Sequence, residues 1–370
     1  MKRITVRTSS LDYPVMVGMD AMNSLNSLVN RQASRSRVFI FFDAGFYALY
    51  GRALIRSIKL PADRSAEFVV PSGEKSKSSP VLAGIYDFLL SEKISRDDFI
   101  VACGGGVTTD LVGYAAATVL RGVRWGVVPT TLLAMVDAAI GGKTGLDHPG
   151  GKNLIGAFWQ PTFVCCDTRY LMTLPERQLI AGLGEVLKTA GLVGNRPVRA
   201  CADYLVRDDL YDLPALTELV CMSAEYKARV VSSDERDTGK RIVLNLGHTF
   251  AHGIETTVGY GRILHGEAVI IGLDAALVLG ERLGYRTKNL EEYRALVFAL
   301  MQRLPRRRIN AAEVWKAMAL DKKRSAGNHR FVVLKRLGQP VVRHGVAPTL
   351  ARSALAEALE RYHDRKGQNV

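Results

Sequence analysis

The sequence predicts an α/β protein in two parts, a mostly parallel sheet with helices in the first half and a mainly helical second half, with the boundary near Pro175. Three observations carry this. The first half alternates short apolar runs with helix-patterned stretches, which is how the strand–helix–strand units of a parallel sheet read. From about Leu174 onward strand-like runs become scarce and long helical patterns follow one another. A chain of 370 residues is too long for one ordinary small domain and long enough to bury a core in each of two.

The first-half strands are contiguous apolar runs closed by turn residues. Arg37–Asp43 reads as a buried strand, Ala66–Val70 as a second, Asp98–Ala102 as a third running into Gly104, Gly105 and Gly106, and Val123–Pro129 as a fourth. Ligands of open α/β sheets bind beyond the carboxyl ends of such strands, so Asp43, the glycine triplet and Thr130–Thr131 are expected at one crevice with the geometry of a nucleotide site. In the second half, helical patterns span Glu185–Leu192, Pro214–Val231, Thr249–Thr257, Glu267–Leu283, Leu290–Arg303 and Leu350–Tyr362. Pro214 suits a first helical turn, where a missing N–H loses no partner. The polar tail from Asp364 is expected to fray.

Composition excludes several classes. With 48% hydrophobic and 23% charged residues the chain has the balance of a globular protein, far from that of a disordered one. Met1–Asp20 carries scattered charges and no signal-peptide pattern, which predicts a cytoplasmic protein. The longest apolar stretch, Ala268–Gly280, is interrupted by Asp274 and too short for a membrane span, so it reads as a buried helix. Cys103, Cys165, Cys166, Cys201 and Cys221 lack paired metal-site spacing and read as buried thiols. The net charge of +14 is spread along the chain, and its densest run, Arg306–Arg308, has no interleaved aromatics. That run reads as a solvated loop, and the basic balance as a field that steers an anionic small molecule, with no nucleic-acid or membrane partner.

Three constellations carry chemistry. GGGVTTD, from Gly104 to Asp110, lies between a strand and the apolar helix Leu111–Leu120, where backbone N–H groups can face a phosphate at a helix N-terminus; it does not match the G-x-G-x-x-G fingerprint. PSGEK, from Pro71 to Lys75, follows an earlier strand and strengthens that reading. Lys143 and Lys152 sit in glycine-rich, otherwise apolar sequence with Asp137 and Asn153, where a lysine is costly to bury without an anion. Finally, Glu185 and Lys188 share a helix face, and three of seven histidines fall in NLGHTFAH (Asn245–His252) and LHGE (Leu264–Glu267). One carboxylate and two imidazoles with an open position suit a catalytic divalent metal. His248 and His252 are also a possible pair at i, i+4, so spacing alone leaves the ligand set open.

Taken together, SGEK at Ser72, GGGVTTDLVGYAAAT at Gly104, RGVRWGVVPTTLLAMVDAAIGGKTG at Arg121, GGKNLIGAFWQP at Gly150, TLPER at Thr173, GLGEVLK at Gly182 and NLGHTFAHGIE with HGEA make the sequence resemble the 3-dehydroquinate synthases, of the sugar phosphate cyclase superfamily, across nearly its whole length. The resemblance implies an N-terminal Rossmann-like NAD-binding domain over 1–175 and a helical metal- and substrate-binding domain over 176–370. It implies Glu185, His248 and His265 as ligands of one divalent metal, zinc or cobalt. It places Asp43, Glu74, Lys75, Gly105, Gly106, Asp110, Thr130, Thr131 and Thr173 at the cofactor, with Lys143 and Lys152 shared between cofactor and substrate. Asp137, Lys143, Lys152, Asn153, Lys188, Lys227, Arg241, Asn245 and His252 match the catalytic substrate pocket, which moves His252 from metal to phosphate. Lys322 or Lys323 is a further match, and Arg121 matches an arginine supplied across a homodimer interface.

Enzymes of this kind convert 3-deoxy-D-arabino-heptulosonate 7-phosphate to 3-dehydroquinate and phosphate in the shikimate pathway of aromatic amino acid biosynthesis. The substrate is oxidised at C5 with NAD, loses phosphate, is re-reduced, opens and closes by an intramolecular aldol addition. Three positions depart from the usual pattern: Thr109 where glycine precedes the aspartate, Gly184 where alanine precedes the glutamate, and Asp237 for a frequent glutamate. The rival readings are another sugar 7-phosphate cyclase and a metal-dependent NAD alcohol or polyol dehydrogenase, which would accumulate NADH and need no phosphate pocket.

Overall fold

The computed structural model describes residues 1–207, 209–259, 261–324 and 330–364, and of residues 320–324 the backbone alone. Two compact units interleave along the chain: Met1–Leu174 with Tyr211–Asp237, and Pro175–Leu210 with Thr238–Val370.

The first unit is Rossmann-like. Its strands are β1 (Lys2–Val6), β2 (Tyr13–Gly18), β3 (Val38–Asp43), β4 (Ser65–Val70), β5 (Phe99–Gly104), β6 (Arg124–Pro129), β7 (Lys143–His148), β8 (Gly151–Phe158) and β9 (Val164–Asp167). Seven of them form a sheet in the order β1-β2-β9-β6-β5-β3-β4, antiparallel only between β1 and β2. Val38–Phe42 and Phe99–Gly104 are buried throughout, because a parallel strand covered on both faces is apolar on both. The register aligns Asp43 with Val70, Phe42 with Cys103 and Gly104 with Pro129, so four carboxyl ends finish along one edge.

The lysine-bearing segments at 143 and 152 are the two arms of an antiparallel hairpin, β7–β8, packed on the helix Gly106–Thr118. The helix Leu213–Ser233 belongs to this unit, against β1, β2 and the turn Ala134–Ala138. Its amphipathic pattern shows that it covers an apolar surface but not which one. Cys103, Cys165, Cys166 and Cys201 are buried free thiols, Cys221 is partly exposed, and burial pushes the Cys201 thiol up to about 12.

The second unit is built round the helix His265–Arg282, buried from Gly266 to Gly280. It packs against Glu176–Val193, His248–Val258, Lys288–Met301 and Pro348–His363. The charge inside it, Asp274, is met by Arg294 at 3.0 Å and Arg361 at 3.3 Å, as a buried carboxylate requires. A helix Asn195–Leu205 and a hairpin of β10 (Phe331–Arg336) and β11 (Gln339–Arg343), neither read from the sequence, complete the unit. Among the described residues no helix is long and apolar enough to cross a membrane.

Three segments of this unit touch at glycines. A Cβ on Gly184 would stand 2.6 Å from the Gly266 carbonyl oxygen, and one on Gly266 would stand 1.8 Å from that of Ala181. A Cβ on Gly272 would lie 2.3 Å from the oxygen of Gly247, itself at a φ of 79°. The glycine at 184 is thus required by a backbone contact that alanine would break.

Candidate functional site

In the second unit, the close crossings bring three side chains from three helices to one point. Glu185 comes from the middle of Glu176–Val193, His248 opens His248–Val258 and His265 opens His265–Arg282. Their ligating atoms all lie within 4.8 Å of one another. Glu185 Oε1 is 3.5 Å from His248 Nε2 and 3.4 Å from His265 Nε2, long contacts suited to a cation shared among the three.

Each imidazole is aimed from behind. His248 Nδ1 is 3.2 Å from the Leu246 carbonyl oxygen, and His265 Nδ1 is 3.3 Å from Glu255 Oε2. An acceptor at Nδ1 leaves Nε2 as the face toward the other two groups. Burial, reinforced by Lys188, pulls His248 down to about 3 and keeps it neutral. Burial acts the same way on His265, but the charge of Glu255 and the bonds to Glu185 and Glu255 overcome it and raise this histidine to about 10. These residues fit a divalent metal.

Lys188 pairs with Glu185, both almost wholly buried. Glu267 accepts the Leu264 N–H at 2.8 Å and is gripped by Arg177, whose NH2 group also bonds the Arg262 carbonyl. This clamp fixes the helix start that carries His265. His252 is exposed and stands outside the trio, its ring centroid 5.6 Å from that of His248. Arg241 is buried in the turn Lys240–Asn245, and Asn245 is exposed. The side chains of Lys322 and Lys323 lie outside the described residues.

In the first unit the aligned strand ends gather the loop residues. Asp43 Oδ1 accepts the Gly45 N–H at 2.9 Å, the Phe46 N–H at 3.2 Å and the Ser72 hydroxyl at 2.9 Å, joining the ends of β3 and β4. Gly105 precedes the helix Gly106–Thr118 and lies against Thr131, where a Cβ would come 3.1 Å from the threonine methyl. Thr109 sits in the first turn of that helix with its hydroxyl donated to the Gly106 carbonyl, so its side chain leaves the loop undisturbed. Thr130 donates its N–H to Gly104, and Thr131 accepts that of Ala134.

A polar cluster beside this loop holds Glu74, Asp110, Lys152 and Asn153. Lys152 pairs with Glu74 at 2.7 Å, and the Asn153 N–H bonds Asp147 at 3.0 Å. At its centre is Lys77, 5% exposed, with Nζ 2.5 Å from both Asp110 and Asn153. Burial opposes the Lys77 charge, but Asp110, with Asp147 and Glu74, more than offsets it and leaves the lysine raised. Farther along, Asp137 pairs with Lys227, and Lys143 with Asp237. Lys75 is exposed, Thr173 meets the Tyr50 hydroxyl at 3.1 Å, and Arg121 is exposed at a φ of 65°. Lys227 and Arg241 belong to different units.

Sequence reasoning passed over Lys77 and Glu255. Lys77 stands one position past two turn residues that already carried the motif, and nothing in SGEKSK marks it rather than Lys75 as the buried lysine. For Glu255 a signal existed: in HTFAHGIE it lies two turns beyond His248 on the same helix face.

Comparison with known proteins fits this geometry. The family models described as 3-dehydroquinate synthase N-terminal and 3-dehydroquinate synthase C-terminal match residues 67–181 and 182–324. The 3-dehydroquinate synthase of Nitrosococcus oceani is 41% identical over 362 residues, 97% of this chain and 99% of the relative. A 2-deoxy-scyllo-inosose synthase complexed with carbaglucose-6-phosphate, NAD+ and Co2+ superimposes with a TM-score of 0.86 at 23% identity, covering 96% of this chain and 100% of that one. A 2-epi-5-epi-valiolone synthase from Streptomyces hygroscopicus subsp. jinggangensis 5008, with NAD+ and Zn2+ bound, gives 0.81 at 25% identity, with 96% and 99% covered. Matched along nearly its whole length by such relatives and by both halves of the family pattern, the chain belongs to the 3-dehydroquinate synthase family.

Proposed function

We propose that this chain converts 3-deoxy-D-arabino-heptulosonate 7-phosphate to 3-dehydroquinate and phosphate, with one divalent metal, zinc or cobalt, held by Glu185, His248 and His265, and with NAD held by the strand-end loops of the first unit. The observation that carries it is the buried carboxylate and two imidazoles converging in a chain of this family. When bound, NAD takes up and returns a hydride at substrate C5, and the metal stabilises negative charge on the C5 oxygen.

The residues divide the remaining work. Asp43, at the end of β3, accepts hydrogen bonds from ribose hydroxyls, while the N–H groups from Gly105 onward and Thr130 and Thr131 face the pyrophosphate. Glu74, Lys75, Asp110 and Thr173 complete the cofactor loops, and Lys77 pins Asp110 to Asn153. Lys152, Asn153, Asn245 and His252, which match the family's phosphate-binding positions, bind the phosphate. Lys227 and Arg241 take the C1 carboxylate, and Asp137, Lys143 and Lys188 restrict the substrate to one productive rotamer. The pairs Asp137–Lys227 and Lys143–Asp237 hold these lysines in place before substrate arrives.

The test is phosphate release from the heptulosonate phosphate with a trace of NAD, before and after chelation. Release that chelator abolishes and added zinc or cobalt restores is expected, with no accumulation of NADH. Sedoheptulose 7-phosphate, which has no C1 carboxylate for the two cations, should be a poor substrate. Stoichiometric NADH without phosphate would instead identify an alcohol dehydrogenase.

A homodimer is part of this reading. Leu154, Ile155 and Phe158 are 61%, 37% and 41% exposed on β8, and Arg121 is free of the fold's own ion pairs among the described residues. Such an apolar strip is suited to a second copy, to which Arg121 reaches as a phosphate ligand. Light scattering at micromolar concentration should give twice the chain mass of 40.6 kDa, and a monomer mass would exclude it.

A further inference from the structure

His265 is approached by a carboxylate at each ring nitrogen. Nε2 lies 3.4 Å from Glu185 Oε1, on the side where Glu185 and His248 offer their ligating atoms, and Nδ1 lies 3.3 Å from Glu255 Oε2. The two nitrogens of an imidazole point in different directions, so a carboxylate on Nδ1 does not join the ligating atoms. Glu255 is 2% exposed in the helix that His248 opens. Burying a carboxylate there costs stability that an apolar side chain of the same size would not. Among the described residues, the partner of His248 Nδ1 is the Leu246 carbonyl at 3.2 Å and not a carboxylate.

We propose that Glu255 is a positioning residue of the metal centre: it accepts the Nδ1–H of His265, fixes the tautomer that presents the Nε2 lone pair to the cation, and makes this imidazole the stronger of the two neutral ligands. The difference between the partners carries the last step. A carboxylate draws the Nδ1 proton toward itself more strongly than a backbone carbonyl does, which raises electron density at the opposite nitrogen. The side chain also locks the ring against rotation about its Cβ–Cγ bond, so Nε2 already faces the other two ligating atoms before the metal arrives. The proposal rests on the reading of Glu185, His248 and His265 as the ligands, and its test separates the two.

The full chain, freed of metal and titrated with zinc against a chromophoric chelator, supplies the affinity; the visible spectrum of the cobalt form reports the ligand field. Glu255→Ala is expected to weaken zinc binding on the order of 10- to 100-fold. Glu255→Gln, which keeps the shape and an acceptor oxygen but not the charge, is expected to weaken it by less and to shift the cobalt bands. Should Glu255→Ala not fold, the isosteric glutamine variant decides alone. His265→Ala serves as the reference: if it leaves zinc affinity unchanged, the ligand assignment itself fails. If His265→Ala weakens binding while both Glu255 variants bind zinc like the parent with an unshifted cobalt spectrum, the role given to Glu255 is overturned.

Discussion

Glu185→Ala is expected to lose tight metal binding, and phosphate release is expected to fall by about 10³-fold or more, the equivalent of the several kcal/mol a metal supplies as a Lewis acid. Glu185 is the one carboxylate of the trio, and it also supplies counter-charge to Lys188, which is 1% exposed. Without it the buried ammonium stays beside two imidazoles and repels an incoming cation. Breaking a buried pair this way costs roughly 3–5 kcal/mol, so the melting temperature should fall as well. A variant with parental metal content and turnover would sink the assignment.

The same site sets a pH law. His265, raised to about 10 before metal binds, holds a proton that a cation must displace, whereas His248, lowered to about 3, holds none. A group whose proton is lost on binding makes affinity rise with pH until its own pKa is passed. Zinc affinity should therefore rise about tenfold per pH unit between roughly pH 6.5 and 9, with about one proton released per metal. Calorimetry in buffers of different ionisation enthalpy measures the proton count, and a flat profile would contradict the shift.

Gly266→Ala is the second change with a large expected effect. Its new methyl would stand 1.8 Å from the Ala181 oxygen, a backbone atom that no rotamer change can move aside. The helices carrying Glu185 and His265 must separate, at a cost of about 2–3 kcal/mol or more, and the trio opens as they do. Zinc affinity and activity should fall together by at least about 100-fold, since a misplacement of about 1 Å is worth that much. Gly280→Ala, in the same helix, is the control: its methyl would meet only the Leu334 oxygen at 3.6 Å and the Val333 Cβ at 3.7 Å. This variant should be neutral or more stable by roughly 0.5–1 kcal/mol through reduced chain entropy in the unfolded state. Equal effects from the two alanines would mean that the close crossing does not govern the site.

Much of the architecture was legible because local sequence determines it. Val38–Phe42, Phe99–Ala102 and Gly126–Pro129 are uninterrupted apolar runs that leave a buried parallel strand little alternative, and Gly104–Gly106 marks where one ends. What escaped depends on distant partners. Gly145, Gly150, Gly151 and Gly156 hide the alternation of β7 and β8, so a hairpin reads as loops. In Leu213–Ser233 the apolar stripe is visible, but its attachment to β1 and β2 is set by residues at the other end of the chain. The metal trio gave a similar division. Its residue types showed through spacing, but the choice of His265 over His252 required the family resemblance, and the roles of Glu255 and Lys77 became visible only with their neighbours in place.

The interleaved units have a consequence for the chain as it is made. Ribosomal synthesis delivers every strand of the seven-stranded sheet by Asp167, yet the helix that covers β1 and β2 follows only after Pro175–Leu210 of the other unit has emerged. Glu185 must likewise wait for His248 and His265. A gene divided at residue 175 would therefore encode a sheet with β1 and β2 uncovered and a helical fragment burdened with Leu216, Leu219, Val220 and Val231, which have their burial elsewhere. No single cut can keep Tyr211–Asp237 with the first product and Pro175–Leu210 with the second, so neither unit can be made whole from one of two fragments.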